Sequence, residues 1–259
     1  MGRADAAEEF PRDRDGLEAA ARKARYRFLE QAAGRCGARW VAVAHTADDQ
    51  AETILHRIVR GTGLAGLSGM ARARPLGPAA LIRPMLSVRR SEVLEYLSDI
   101  GQPFRTDPTN ADLRFTRNRL RHELLPHLAQ AYNPNVVDAL LRLGRLAGEV
   151  RRWMDRQIEP LQSACRLETD GTDRCIRINT RPLHAEPAAA VRELLVGLWR
   201  QQGWPMQQMG FEQWDLLADM ALASGEPSRP PRKHTFPGGI QAEAGPDELV
   251  LHRPSELPG

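Results

Sequence analysis

The chain has 259 residues, of which 42% are hydrophobic and 27% charged, and its formal net charge is +3. This length and composition predict one large or two modest domains with enough apolar side chains to bury cores. No apolar run approaches the roughly 18 residues of a membrane helix, and residues 1–15 are too charged for a signal peptide. The three cysteines, Cys36, Cys165 and Cys175, form no C-x-x-C pair, which argues against zinc and fits a reducing compartment. We therefore expect a cytoplasmic protein without a membrane partner.

A helix, a strand and a second helix are predicted in the first 60 residues. Apolar positions from Leu17 to Phe28 indicate a helix that ends near Gly34. The compact apolar run 40–44 is long enough for a buried strand but short for a helix. Thr46 can cap the next helix and Gly61 can end it. The apolar face of that helix is predicted to consist of Ile54, Leu55, Ile58 and Val59.

The middle of the chain reads as short elements followed by one long helix. Residues 79–82 form a possible strand, and Ser87 can cap a helix that ends at Gly101. The run Asp107-Pro108-Thr109-Asn110 is typical of a turn. After the break at Asn133-Pro134, residues 136–158 read as a long helix. Its predicted buried positions are Leu140, Leu141, Leu143 and Leu146.

The last hundred residues predict a second, mainly helical region. A strand is expected at 175–178, helices at 187–201 and 208–222, and a loop at 224–231. Two short strands near 234–241 and 248–252 read as a terminal hairpin. Because Trp199, Trp204 and Trp214 alternate with aliphatic residues on amphipathic helices, we expect them in a core.

The run His-Thr-Ala-Asp-Asp-Gln-Ala-Glu-Thr at residues 45–53 is open to two interpretations. Thr46 and Asp49 have the spacing of a capping box, and acids are stabilised in a first helical turn. The same residues lie after a strand and at the start of a helix, where open α/β sheets bind ligands. The local pattern favours capping slightly and does not decide between capping and chemistry.

Arginines and glycines provide further candidate sites. Arg114, Arg117 and Arg121 have i, i+3, i+7 spacing, which fits either a solvated helix face or a functional one. The first 150 residues also hold the excess of basic residues, nearly all arginine, which is a mild indication of a nucleic-acid partner. Gly61-x-Gly63-x-x-Gly66 matches a dinucleotide fingerprint, but it follows a helix instead of a strand, so we reject that interpretation.

Several blocks of sequence occur in the order of one known family. They are Ala-Ala-Arg-Lys-Ala-Arg-Tyr at 20–26, the run 45–53, the glycine-rich 60–70, Arg-Pro-Met-Leu at 83–86, the turn 107–110 and Phe-Thr-Arg-Asn-Arg-Leu-Arg at 115–121. Together they resemble the tRNA(Ile)-lysidine synthetase family of PP-loop ATP pyrophosphatases. The resemblance covers residues 16–147 strongly and is faint but collinear beyond, where Phe-Pro-Gly-Gly at 236–239 is similar to the family's C-terminal hairpin entry.

The resemblance implies an α/β fold in three parts. Residues 1–130 would form an incomplete PP-loop domain, Rossmann-like and of the adenine-nucleotide α-hydrolase type, with a parallel sheet and helices. Residues 131–160 would form a long linking helix. Residues 161–259 would form a smaller, mainly helical domain that binds tRNA or substrate and ends in a β-hairpin.

The resemblance also implies a reaction and its residues. ATP adenylates the C2 oxygen of the wobble cytidine of an isoleucine tRNA with a CAU anticodon, and free lysine then displaces AMP to give lysidine. Asp49 matches the essential acid, which would hold the lysine ammonium and is the candidate ligand of Mg²⁺; Arg25 and Arg121 match essential arginines that would contact adenylate or tRNA phosphates. The other implied substrate- or tRNA-binding residues are His45, Asp48, Arg22, Arg60, Gly61, Gly63, Arg117, Asn118 and Arg119. For His45 and Asp48, structural support is the alternative.

One family motif does not occur in the chain. The family opens with a strand, a Ser-Gly-Gly-x-Asp-Ser loop and a helix that hold the ATP phosphates, and this sequence contains no such loop. Three hypotheses follow. The chain is a lysidine synthetase whose start is set too late, a tRNA-binding remnant without catalysis, or a related tRNA thiolase, which the lack of paired cysteines disfavours.

Overall fold

The computed structural model describes residues 14–105, 111–165, 175–206, 208–223 and 232–253. The chain divides into two compact units, Met1–Arg151 and Arg152–Gly259. The predicted turn at 107–110 and the predicted loop at 224–231 lie outside the described residues. Within the described part, no helix is both long enough and apolar enough to span a membrane.

The first unit combines helices with a small sheet. Its elements are α1 (Arg14–Cys36), β1 (Trp40–Ala42), α2 (Ala47–Val59), α3 (Leu64–Leu67), β2 (Ala73–Leu76), β3 (Ala79–Ile82), α4 (Arg90–Asp99), α5 (Thr116–Arg119), a π-helical turn (Leu120–Leu124), α6 (Leu125–Ala131) and the start of α7 (Val136–Cys165). The predicted helix ending near Gly34, the strand 79–82 and the helix stop at Gly61 are present. Gly61 has a φ of +79°, which is why glycine suits this position after the helix.

The sheet of the first unit has the order β1-β3-β2, with β1 parallel to β3 and β2 antiparallel to it. The central strand β3 supplies Leu81, which is fully buried. The expectation that 40–44 forms a buried strand is wrong in part. Trp40 is 59% exposed, and among the described residues β1 pairs with β3 alone.

The core of the first unit lies where α2 meets the helices that follow residue 116. It contains Ala51, Ile54, Leu55, Leu120, Leu125 and Leu140. A Cβ at Gly144 would lie 2.5 Å from Cδ1 of Ile54, so α7 passes very close to α2. Leu140, Gly144 and Ala147 share one buried face of α7 at helical spacing.

Several predicted core positions on these two helices are exposed instead. Ile58 and Val59 lie at the exposed end of α2, and Leu143 and Leu146 lie outside the buried face of α7. The reason is geometric. Small residues of α7 make the close contact with α2, so the buried face of α7 is narrower than the leucine pattern predicts.

The second unit packs the end of α7 and two further helices with a four-stranded antiparallel sheet. The elements are β4 (Cys175–Asn179), a 3₁₀ turn (Arg181–Leu183), α8 (Ala188–Gln201), α9 (Phe211–Leu222), β5 (Arg232–Phe236), β6 (Ile240–Ala244) and β7 (Glu248–His252), with the sheet order β4-β7-β6-β5. The predicted strand 234–241 is wrong. It contains a turn in which Gly238 and Gly239 have φ values of +82° and +73°, so it forms two paired strands. The terminal hairpin is therefore part of a larger meander.

Trp199 lies at the centre of the second core. Its ring makes edge-to-face contacts with Trp204, Trp214 and Phe236 at centroid distances of 5.0, 5.4 and 6.3 Å. Its Nε1 donates a hydrogen bond of 3.0 Å to the carbonyl oxygen of Pro205. All three tryptophans are buried, which confirms the prediction that they belong to a core.

Candidate active site

Asp49 lies in the first turn of α2, just after β1 ends. The Thr46 hydroxyl accepts a hydrogen bond of 3.5 Å from the Asp49 amide. In return, Oδ2 of Asp49 accepts hydrogen bonds from the Thr46 amide at 2.8 Å and the Thr46 hydroxyl at 3.0 Å. The two residues form a capping box, so the capping interpretation of this motif is confirmed.

The second oxygen of Asp49 has different partners. Oδ1 accepts hydrogen bonds from Nη2 of Arg117 at 2.9 Å and Nη2 of Arg121 at 3.1 Å. Burial by itself raises the pKa of Asp49, but hydrogen bonds from Thr46 and the charges of Arg117 and Arg121 hold that pKa below its ordinary value. One oxygen caps the helix and the other holds two arginines, so the two interpretations do not exclude each other.

Glu52 completes this cluster. It lies three residues after Asp49 on the same helix face and is only 2% exposed. Its Oε2 accepts hydrogen bonds from Nε of Arg117 at 2.9 Å and Nη2 of Arg121 at 3.0 Å, and its Oε1 accepts one from Nε of Arg121 at 2.5 Å. We call Asp49, Glu52, Arg117 and Arg121 the acid–arginine cluster.

Sequence reasoning did not single out Glu52, although it stands in the motif at 45–53. A signal was present, because Glu52 lies between the apolar Ala51 and Ile54 and shares a face with Asp49. A glutamate on a buried stripe has to find a charged partner. What the sequence does not give is the identity of that partner, which comes from another helix.

The backbone around Arg121 departs from α-helical geometry. In the π-helical turn Leu120–Leu124, the amide of Leu125 donates to the carbonyl oxygen of Leu120. The next residue, Pro126, has no N–H and cannot donate to the turn before it, which favours such a local widening. Leu120 and Leu125 are buried, while Arg117 and Arg121 reach α2.

Arg114, Arg117 and Arg121 do not form the predicted stripe on one helix face. Arg114 precedes α5, is exposed, and pairs with Asp112 at 2.6 Å. Arg117 and Arg121 are 26% and 23% exposed in their side chains and are paired with the acids of α2. They therefore form neither a solvated face nor a set of uncompensated phosphate ligands.

Asn118 and Arg119, two further predicted residues, lie next to the cluster on α5. Nδ2 of Asn118 donates a hydrogen bond of 2.9 Å to the carbonyl oxygen of Asp112, which secures the turn before the helix. Arg119 is exposed, and its Nη2 donates to the Thr116 hydroxyl at 3.3 Å.

Asp48 supports the start of α4. Its Oδ2 accepts a hydrogen bond of 2.6 Å from the amide of Arg90, and its Oδ1 lies 3.3 Å from Nη2 of Arg89. The prediction that Ser87 caps this helix is wrong, because the N-cap is Arg89. The carboxylates of Asp48 and Glu92 accept hydrogen bonds from the backbone amides at the start of α4, which is the role that a serine cap would have had.

The glycine-rich loop after α2 is fastened back onto that helix. Nη1 of Arg57 donates hydrogen bonds of 2.8 Å to the carbonyl oxygens of Gly66 and Gly69. Oε1 of Gln50 accepts a hydrogen bond of 2.7 Å from the amide of Met70. Among the predicted residues of this loop, Arg60 is the C-cap of α2, Gly61 follows it, and Gly63 is the N-cap of α3.

His45 precedes the capping box and is half-buried. Its Nδ1 is buried and has no hydrogen-bond partner among the described residues. Burial lowers the pKa of His45, Asp49 opposes that effect, and Arg83, Arg117 and Arg22 add to it, so the pKa lies below its ordinary value. The imidazole is therefore neutral at pH 7.

The two predicted arginines of α1 are outside the acid–arginine cluster. Both Arg22 and Arg25 are exposed. Arg22 has its guanidinium 5.1 Å from the ring centroid of Tyr26. Within the described part of the chain, no hydrogen bond or ion pair joins Arg25 to Asp49 or Glu52.

Comparison with known proteins finds relatives of the chain. Residues 3–128 match the PP-loop domain family. The tRNA(Ile)-lysidine synthase of Geobacter sulfurreducens is 36% identical over 218 residues, which cover 84% of this chain and 45% of the relative. The chain thus carries a PP-loop domain and is similar to tRNA(Ile)-lysidine synthases over most of its length. This confirms the resemblance read from the motifs.

Two further relatives bear the same name. The tRNA(Ile)-lysidine synthase of Rhodopirellula baltica is 38% identical over 261 residues, covering 89% of this chain and 65% of the relative. That of Rhodopseudomonas palustris is 53% identical over 114 residues, covering 44% and 33%. The chain thus spans less than two thirds of the length of each of these relatives.

Proposed function

We propose that this chain supplies the lysine-transfer part of a cytoplasmic enzyme that uses ATP to join lysine to C2 of the wobble cytidine of isoleucine tRNA with a CAU anticodon. The names of the relatives support tRNA(Ile) as the substrate, and the PP-loop family supports the use of ATP. The observation that carries the proposal is the ionised carboxylate of Asp49, fixed by Thr46 and joined to two arginines at the end of β1.

The acid–arginine cluster suggests how lysine and adenylate would share one site. Two acids and two arginines give the cluster no net charge. A cationic lysine and an anionic adenylate phosphate could therefore enter together without leaving a charge uncompensated. A lysine ammonium at Oδ1 of Asp49 would take the place of the Nη2 groups of Arg117 and Arg121. These groups would then face the adenylate phosphate, while Glu52 keeps both guanidiniums in position.

His45 is the candidate proton acceptor. The attacking amine has to lose a proton before its nitrogen bonds to C2, and AMP leaves with the electrons of the C2–oxygen bond. Asp49 is a poor base because its pKa is lowered, whereas His45 is neutral at pH 7 with an unpartnered Nδ1. We propose that Asp49 orients the ammonium and that His45 accepts its proton.

The remaining predicted residues are proposed to contact tRNA or nucleotide. Arg22, Arg25, Arg119 and Arg60 are charged groups suited to phosphates, and Gly61 and Gly63 shape the neighbouring loop. Mg²⁺ at Asp49, like the lysine ammonium, would have to displace an arginine from Oδ1, since Thr46 and the arginines occupy both of its oxygens. In the described part of the chain, no three His, Cys, Asp or Glu side chains come together as metal ligands.

A second candidate function follows from the missing Ser-Gly-Gly-x-Asp-Ser run. Such a loop supplies backbone N–H donors to phosphates. As the second candidate, we propose that residues 1–259, tested alone, bind tRNA through arginine–phosphate contacts without activating the cytidine.

One experiment separates these functions. Purified 1–259 is assayed for pyrophosphate release from ATP, for tRNA(Ile) binding at several salt concentrations, and for transfer of labelled lysine. We expect weak binding that fades as salt rises, without pyrophosphate release. A chimera that places the N-terminal segment of the Geobacter sulfurreducens relative before this chain should transfer lysine. If the chimera folds and releases pyrophosphate but transfers no lysine, the transfer role is refuted and the binding function remains.

A further inference from the structure

Three arginines surround Tyr26 of α1. The guanidinium carbon of Arg22 lies 5.1 Å from the Tyr26 ring centroid, and that of Arg74 on β2 lies 4.6 Å from it. Burial by itself raises the pKa of Tyr26, but the charge of Arg22, hydrogen bonding and charge from Arg83, and hydrogen bonding from Arg74 bring that pKa below its ordinary value. Three positively charged side chains, from α1, β2 and the end of β3, thus lie around one aromatic ring.

These charges lack acidic partners, in contrast to the acid–arginine cluster. Within the described residues, none of Arg22, Arg74 and Arg83 lies within 4.0 Å of a carboxylate oxygen. Nη1 of Arg74 donates to the carbonyl oxygen of Pro75 at 3.1 Å. Glu30, one turn after Tyr26 on α1, has its carboxylate against Gly77.

Arg83 adds an independent observation. It is only 4% exposed, and its Nη1 is fixed by a hydrogen bond of 2.7 Å to the carbonyl oxygen of Ala71. Its Nε is buried and has no hydrogen-bond partner in the described part of the chain. A buried donor on a charged group is costly when unpaired, so this atom indicates a missing acceptor.

We propose that Arg22, Arg74 and Arg83, together with the Tyr26 hydroxyl, form a binding site for a phosphate group. Guanidinium groups match phosphate oxygens in charge and in the direction of their donors, and the Nε of Arg83 gains its acceptor. Within the described residues, Arg22, Arg74 and Arg83 form no ion pair with Asp49 or Glu52, whose charges are balanced by Arg117 and Arg121. As a site for an RNA backbone phosphate the inference rests on the proposed function; as a site for free polyphosphate it does not.

The test uses purified 1–259 and two probes, inorganic pyrophosphate and an anticodon stem-loop RNA of tRNA(Ile). Binding is measured by calorimetry at several salt concentrations. The variants are Arg22→Gln with Arg74→Gln, and Arg22→Gln alone in case the pair impairs folding. Arg27→Gln is the matched control, because it removes an exposed positive charge of α1 that makes no contact with Tyr26.

The double variant should bind at least one probe about tenfold or more weakly than the control, the equivalent of about 1.4 kcal/mol. If the RNA is affected, the slope of its log affinity against log salt should fall by about one for each lost contact. A loss for pyrophosphate alone identifies free polyphosphate as the ligand, and a loss for RNA identifies the backbone phosphate. Equal binding by the variant and the control, or wild type binding neither probe, overturns the proposal. This experiment does not measure lysine transfer, so its outcome does not depend on whether the proposed reaction takes place.

Discussion

Replacing Glu52 by Gln tests whether the acid–arginine cluster stabilises the first unit. Glu52 is nearly inaccessible to solvent and accepts three hydrogen bonds from Arg117 and Arg121. Gln has the same shape but no charge, and it can direct only one oxygen at the two guanidiniums. Both arginines would then depend on Asp49 alone.

The expected loss of stability in Glu52→Gln follows from this geometry. Removing one member of a fully buried ion pair costs about 3–5 kcal/mol. Because Arg117 and Arg121 keep 26% and 23% of their side-chain surface exposed, water compensates part of the loss. We expect Glu52→Gln to lower the free energy of unfolding by about 2–3 kcal/mol, or Tm by roughly 4–12 °C.

The assay is urea and thermal unfolding, with Glu123→Gln as the control. Glu123 lies on the π-helical turn and is exposed, so its substitution should change stability by no more than about 0.5 kcal/mol. In a double-mutant cycle, Glu52→Gln and Arg121→Gln should couple by about 0.5–3 kcal/mol. If Glu52→Gln is as stable as Glu123→Gln, the cluster does not stabilise the fold and the reasoning is refuted.

Three further predictions concern single side chains. Asp49→Asn should lower the free energy of unfolding by about 1–3 kcal/mol, since Asn can still accept at the cap but loses the charge that pairs with Arg117 and Arg121, and lysine transfer by the chimera should fall at least a hundredfold, on the order expected for a lost charged contact; unchanged transfer with a lowered Tm would leave Asp49 a structural role alone. Arg121→Ala should lower the free energy of unfolding by about 1–3 kcal/mol because it deprives a buried acid of its partner, whereas Arg114→Ala should stay within about 0.5 kcal/mol; equal unfolding midpoints in urea would contradict this. The lowered pKa of His45 means that the unfolded chain binds its proton more readily, so this group's contribution to stability is present above about pH 6.5 and is lost as pH falls below it. Thermal unfolding at pH 7.5 and 5.5 should show a smaller loss of stability for His45→Gln than for wild type or for His184→Gln, which replaces an exposed histidine of the second unit; identical losses would refute the assignment.

The sequence by itself determined the features that depend on near neighbours. Thr46 and Asp49 are three residues apart, and a capping box needs no other part of the chain. The helix stop at Gly61 and the strand at 79–82 likewise follow from local conformation and apolar pattern. The tryptophan core was also predictable, because amphipathic spacing states which side of a helix is buried.

The tertiary structure alone decided which charged groups meet. Arg117 and Arg121 bond to acids 65–72 residues away in the sequence, and no local pattern determines that distance in space. The same holds for Asp48, which takes the helix start that Ser87 was expected to cap. It also holds for Trp40, which is exposed on a strand that, among the described residues, pairs with β3 alone. Hydrophobic periodicity indicates which face of a helix or strand is buried. The packing between these elements determines which polar groups form hydrogen bonds and ion pairs with one another. That packing places Glu52 between two arginines.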